Sequence, residues 1–451
     1  MNNIFEEENI GKVVWKLGVP AMLGSLTTLI YNMADTYFVS LTRDPAMIAA
    51  VTLCTPVLLI IMSIACIFGM GGSSVIARLL GEGRKEDAAQ CFRFCMYAMA
   101  ASGVLVMILG LWLMRPAAGL IGADTENYAY TCDYLKWIYI GAIAIMLANG
   151  LVHTFRSAGL IKEATIGLAI GNGVNIVFDW ILIVLCRMGT AGAAIATSFG
   201  FVCASVYYIA VLVYQRRKGS IFGKTNRPRF AADPAMIADV IRIGIPGALV
   251  TVMLSVSNIV LNNYIGIYGS NAVASYGIAY KIDLFPVMIL VGLSQGTAPL
   301  FGYYFGQRDA GKLLKGVKLT TMDGMLVGAV FTVLIFFGNR IFARVFLSDE
   351  ELIRVTAWFL RLLCFHAPFI AVINTVTAYF QALGKAVHSL LITVLRNIVL
   401  FIPGIMIMNR LFGLNGVILT QLVVEIIVAG ICLILYAVNK PERLTASAAK
   451  I

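Results

Sequence analysis

Charge is scarce in this sequence. Asp, Glu, Lys and Arg make up 13% of its 451 residues, where a soluble globular domain carries about 25%. Histidine is rarer still, at three, and no cluster of His, Cys, Asp and Glu has the spacing of a metal site. An integral-membrane enzyme would need convergent catalytic groups, so that class is disfavoured. A phosphate-cradling loop is also missing. Gly69, Gly71 and Gly72 in FGMGGSS follow no strand, and they read as small residues that let helices approach closely. ATP is therefore not expected as an energy source. None of the nine cysteines forms a CxxC pair, and most lie inside apolar runs as small hydrophobes. The acidic start MNNIFEEENIGK, followed by a long apolar run, does not read as a secretory signal peptide.

What is abundant is hydrocarbon, with 60% of residues apolar. Segments of about 20 or more apolar residues follow one another with short polar breaks, the pattern of a polytopic helical membrane protein. The spans fall at roughly 14–39, 47–77, 91–114, 133–158, 162–185, 190–214, 239–267, 272–303, 313–337, 355–383, 387–409 and 414–438. Twelve crossings put both termini on one side. Most Lys and Arg fall on that side. The central segment alone holds Arg216, Arg217, Lys218, Lys224, Arg227, Arg229 and Arg242. By the positive-inside rule the termini and this segment are cytoplasmic. The net charge of +11 thus reports topology, and no nucleic-acid partner is expected.

The chain also repeats itself. Lys16-Leu-Gly-Val-Pro20-Ala resembles Arg242-Ile-Gly-Ile-Pro246-Gly at an offset of 226. Phe155-Arg-Ser-Ala-Gly159 echoes Phe380-Gln-Ala-Leu-Gly384 at 225, and Gly189-Thr-Ala-Gly192 matches Gly413-Leu-Asn-Gly416 at 224. The turn LLGEGRKEDA resembles YYFGQRDAGK in the same order. The expected organisation is an N-terminal six-helix lobe over 1–214, a basic cytoplasmic linker over 215–238, a C-terminal six-helix lobe over 239–440 and a tail over 441–451. Parallel repeats of six spans suit a transporter whose two bundles rock about a shared cavity. Pro20 and Pro246 each remove a backbone donor from the first span of a half, so both are hinge candidates.

One polar stripe stands out in the first half. Thr28, Asn32 and Asp35 fall on one face of the first span, and Asn172, Asn175 and Asp179 on one face of the fifth. Thr197 and Ser198 lie in the sixth. An ionised aspartate in hydrocarbon costs at least a few kcal/mol, so it marks function by default. Two carboxylates with amides and hydroxyls can share a proton or supply oxygen ligands to a hard cation. At the repeat offset Asp35 maps to Leu261 and Asp179 to Phe401–Pro403, so the paired carboxylates have no counterparts in the second half and the coupling machinery is expected to be asymmetric.

The six-plus-six repeat, the xGxP start of both halves, the NMADTYFVS span and GTAPLFGYYFG resemble the multidrug and toxic compound extrusion family. They are most similar to its bacterial branch of DinF- and MepA-type exporters. The resemblance covers about residues 10 to 440. It implies an all-α membrane protein with twelve transmembrane helices in two pseudo-symmetric six-helix bundles forming a V. It further implies a monomer in the bacterial inner membrane that exports amphipathic, often cationic compounds against H⁺ or Na⁺, with no other cofactor. The family's coupling residues are matched by Asp35, Asn175, Asp179 and Thr197. Further candidates for a substrate cleft are Asn32, Ser255, Asn258 and Asn262 on the duplicated first helices, with the intramembrane Lys281, Asp283 and Glu425. His153 could join a proton path or simply pair between helices. The rival reading is a flippase for lipid-linked saccharides or peptidoglycan precursor. Such flippases tend to line their cavity with several basic groups, whereas only Lys281 stands out here as a deep cation.

Overall fold

A computed structural model describes residues 4–217 and 233–439. Part of the expected linker, 218–232, and the expected tail, 441–451, lie outside the described residues. Among those residues there is no strand. The first half contains α1 (Ile10–Ser40), α2 (Pro45–Gly81), α3 (Lys85–Trp112), the short α4 (Met114–Leu120), α5 (Tyr128–Ser157), α6 (Ile161–Asp179) and α7 (Gly189–Arg217). The second contains α8 (Pro234–Gly266), α9 (Ser270–Gly306), α10 (Ala310–Phe346), α11 (Glu350–Leu363), α12 (Ala367–Ala382), α13 (Ala386–Val394) and α14 (Phe401–Val438). Two π-helical segments interrupt this pattern, Trp180–Leu185 after α6 and Leu395–Val399 after α13.

Local chemistry explains where several helices start. Asp44 caps α2 by accepting from the Ala46 amide at 2.9 Å, with Pro45 at the first helical position. Asp309 and Asp349 do the same for α10 and α11. The repeat is also visible in the backbone. The left-handed positions pair as Arg43 with Gly269, Gly83 with Arg308, Gly159 with Gly384 and Gly189 with Gly413, each 224 to 226 residues apart.

Eleven described helical stretches are long and apolar enough to cross a membrane. The last, Ala386–Val438, has 53 residues and breaks at Gly413, where φ is 58° and ψ is −139°. At about 1.5 Å per residue each piece still exceeds a hydrocarbon core of ~30 Å. Twelve crossings result, and the fold is the expected all-α membrane architecture. Large apolar side chains such as Trp112, Phe337, Ile341 and Val345 are exposed on it, as a lipid-facing surface requires.

The chain forms two compact units. The first lobe is Leu26–Ala248, and the second combines Met1–Ser25 with Leu249–Ile451. The divisions fall inside α1 and α8, so each of these helices begins in one lobe and ends in the other. Glycines make this possible. In the second lobe a methyl group added at Gly292 would lie 2.6 Å from the Met22 Cα, and one at Gly296 would lie 2.7 Å from the Leu17 carbonyl oxygen. The start of α1 therefore packs directly on α9, and Phe5 stacks on Tyr303 at 5.0 Å. In the first lobe Gly71 faces the Val240 carbonyl and Gly244 faces the Ile67 carbonyl, so the start of α8 packs on α2. Pro20 and Pro246 lie within these helices a few residues before the divisions.

Inside the first lobe α5 is the most deeply buried helix. It meets α2 where Gly69 faces Gly150, and α3 where Gly103 faces Ile143. Leu135, Ile138, Ala142, Ile145 and Met146 form the core around it. In the second lobe α9, α10 and α12 share a core of Leu290, Ala367, Ile370 and Ala371, with Gly328 against the Pro368 backbone.

Replacing Gly71 or Gly244 by Leu is expected to lower the thermal midpoint of the detergent-solubilised protein, since overpacking costs about 1–3 kcal/mol or more. Gly430→Ala, where an added methyl meets nothing within 4 Å, is expected to leave it unchanged or raise it. Gly413→Ala places a side chain in a region held almost only by glycine and is expected to destabilise by about 1–3 kcal/mol. Size-exclusion profiles after a heating series check all four variants.

Candidate functional site

In the first lobe α1, α5, α6 and α7 bring one set of polar side chains together. Packing of α6 on α7 sets the register. An added methyl at Gly171 would sit 3.1 Å from the Gly200 carbonyl oxygen, and one at Gly200 would sit 3.1 Å from the Asn175 Cβ. That approach lets the Asn175 amide donate to the Thr197 hydroxyl at 3.3 Å. One turn earlier, Asn172 donates to the Thr27 and Thr28 hydroxyls of α1 at 3.2 and 3.3 Å. Ser198 turns away and donates to the Trp137 carbonyl of α5 at 2.9 Å.

The carboxyl groups of Asp35 and Asp179 lie within electrostatic reach of each other across this α1–α6 contact. Asp179 has no exposed surface. Neither of its oxygens, nor Asp35 Oδ1, nor Asn175 Oδ1 takes a hydrogen bond. Two ionised carboxylates are both acceptors, so a hydrogen bond between them exists only when one carries a proton. Four buried acceptor oxygens without donors form an arrangement that a proton or a small hard cation would satisfy. The π-helical segment starts immediately after Asp179, and such segments occur frequently at functional sites.

Two groups at this site are absent from the reading of the sequence. Tyr31 and Tyr134, both buried, lie within electrostatic reach of both aspartates. Tyr31 sits four residues before Asp35, so helical spacing alone places it on the same face. Tyr134 comes from α5, and nothing local in its segment marks it.

The second lobe contains titratable groups too, among them the nominated Lys281, Asp283 and Glu425. The repeat-related positions are indeed apolar, with Leu261 and Phe401 buried. A different network lies elsewhere in that lobe. His366 Nε2 sits 2.9 and 2.8 Å from the two oxygens of Asp283. Arg396 donates to Glu425 Oε1 from Nη2 at 2.6 Å and from Nε at 3.0 Å, and its Nη1 reaches Asn374 Oδ1 at 3.5 Å. Asp283 and Glu425, nominated above as substrate-cleft candidates, are 2% and 3% exposed and held by partners within their own lobe. His366 and Arg396 had gone unweighed, although each interrupts an apolar run.

The other nominated residues are dispersed. Lys281 is exposed, on a different face of α9 from Asp283. Asn32 and Asn262 are exposed, Ser255 is half-buried, and half-buried Asn258 bonds to Tyr280. His153 lies half-buried on α5 within reach of Arg156.

Comparison with known proteins matches this chain twice to one family model, MatE, over residues 20–181 and 246–407. The two matches begin 226 residues apart, the offset of the repeat. The Multidrug export protein MepA of Staphylococcus saprophyticus is 29% identical over 448 residues, 99% of this chain and 98% of that protein. MepA of Staphylococcus aureus strain MRSA252 is 29% identical over 442 residues, 98% and 96% of the two chains. Among solved structures, a MATE protein in complex with MaL6 aligns with TM-score 0.92 at 24% identity over 100% of both chains. A multidrug resistance MATE family transporter in an outward-facing conformation aligns with TM-score 0.92 at 24% identity, covering 100% of this chain and 99% of that one. These structural likenesses establish the fold. With most of its length matched by the family model in both repeats, the chain belongs to the MatE family.

Proposed function

We propose that the protein is a secondary active antiporter that exports amphipathic, often cationic compounds in exchange for H⁺ or Na⁺. The observation that carries this reading is the pair Asp35 and Asp179, buried among acceptor oxygens that have no donor. Its full-length relatives are multidrug export proteins, and the two carboxyl groups lie beside the amide and hydroxyl oxygens of Asn175 and Thr197.

The cycle follows from charge. With the pair anionic, the lobe attracts a positive ligand. A proton or Na⁺ entering from outside removes one of the pair's two negative charges and joins the two carboxyl groups, drawing α1 and α6 together. The less negative site holds a cationic compound less well, and the compound leaves. Release of the ion on the inner side restores the charge. Flow is coupled only because the two ligands differ in affinity for the two states. The prolines in α1 and α8 give those helices places to bend as the bundles rock. Both termini and the basic central segment lie on the cytoplasmic face in this scheme, and the protein acts as a monomer.

Asp35→Asn and Asp179→Asn are each expected to lower gradient-driven export by about 5- to 150-fold, the range of a coupling free energy of 1–3 kcal/mol. Thermal stability should be unchanged or higher in Asp179→Asn, because the native carboxyl oxygens lack donors. The deciding measurement is movement of a fluorescent cation in proteoliposomes under separately imposed proton and sodium gradients. Transport that needs neither gradient, or that accepts only saccharide lipids, would overturn the antiporter. Thr197→Ala is expected to weaken sodium-driven export more than proton-driven export, because a hard cation needs oxygens beyond the two carboxyl groups.

A further inference from the structure

The second-lobe network has a chemistry of its own. Both Asp283 oxygens approach His366 Nε2, at 2.9 and 2.8 Å. A carboxylate only accepts, so Nε2 carries hydrogen and the ring's remaining basic position is Nδ1. Nδ1 is buried and has no hydrogen-bond partner, and the same holds for Glu425 Oε2 and Asn374 Nδ2.

Charge counting shows why this matters. Asp283 and Glu425 contribute two negative charges and Arg396 one positive charge. With a neutral imidazole the set carries a net negative charge in a water-poor interior. A second proton on His366 makes it neutral. Neither form satisfies every atom, because the imidazolium gains a buried N–H at Nδ1 while the imidazole leaves a charge uncompensated. A network divided in this way is poised to change protonation.

The groups around His366 are few. Asp283 comes from α9, Arg396 from the second π-helical segment and Glu425 from α14, and all three act on the imidazole. Tyr276 and Tyr280 of the same helix, and Cys364 of the turn that carries His366, also lie within electrostatic reach of Asp283. From α10, Thr332 donates to the Cys364 carbonyl at 2.7 Å. The nearest charge on α11, Arg361, lies over the Phe336 ring at 5.6 Å, and α12 contains no charged residue. Arg396 beside Glu425 disfavours a metal cation, whereas a proton needs only the Nδ1 lone pair. His366 lies on a 3-10 turn between α11 and α12, and Arg396 on a π-helical segment. Both basic side chains thus sit where helical pairing is already interrupted, so a change of charge has a backbone that can respond.

We propose that His366 Nδ1 is a proton-binding site of the second lobe, taking one proton from water and returning it to water independently of the Asp35–Asp179 pair. Its place in a transport cycle rests on the antiporter reading above, but the binding itself does not.

The test uses full-length protein labelled with ¹⁵N-histidine in nanodiscs, its three histidine signals assigned with His153→Gln, His366→Gln and His388→Gln. The His366 signal is expected to pass from imidazolium to imidazole between about pH 5 and 8, and to do so equally in Asp35→Asn. In a second arm, tetraphenylphosphonium is added to weakly buffered protein and the protons released are counted. Wild type is expected to release one more than His366→Gln, while Asp35→Asn keeps that one. A His366 signal fixed in one charge state across the range overturns the proposal, whereas an unchanged proton count in His366→Gln overturns only its place in the transport cycle. Titration of His366 in a protein whose transport ignores both proton and sodium gradients would support this site and sink only the antiporter.

Discussion

Hydrocarbon offers a backbone no hydrogen bonds, and that constraint governs this structure. Nearly every described residue within a crossing is helical because the helix satisfies its own amides and carbonyls. Departures from the helix are few and placed with purpose. The π-helical segments follow Asp179 and carry Arg396, the 3-10 turn ends in His366, and the break at Gly413 divides two crossings. Three of these four irregularities lie at a buried charged cluster. Where the backbone ladder is interrupted, ionisable side chains are close by.

The two lobes handle buried charge differently. The first sets two carboxyl groups against each other, their oxygens without donors. The second sets a basic side chain against each acid, Arg396 to Glu425 and His366 to Asp283. An arginine is permanently charged, so the first of these pairs is static. A histidine is not, and the second pair retains one degree of chemical freedom.

Much of this architecture can be read from the residues alone. The spans follow from apolar runs, and the duplication follows from short matches at a nearly constant offset. Asp35, Asn175 and Asp179 follow from helical spacing on two segments, because a stripe of polar residues on an apolar helix has few places to go, whereas Thr197 is picked out from its neighbour Ser198 only by the family resemblance. Contacts between segments far apart in the chain are another matter. His366 and Asp283 are 83 residues apart, and no periodicity links them. Arg396 and Glu425 belong to neighbouring crossings, yet only the three-dimensional register reveals that they meet. The transfer of half of α1 and half of α8 between lobes is equally silent in sequence, since the glycines that permit it resemble any other small residues in a membrane helix.

That transfer bears on ancestry. A primitive chain with one repeat would have begun with a helix whose first turns belonged in a neighbour's bundle. Two copies would complete each other by trading those turns, each lending the strip that slots between the other's glycines. Fusion of the duplicated genes would have converted this mutual loan into a covalent strap. Each half of the modern polypeptide, made separately, would lack a piece of its own core.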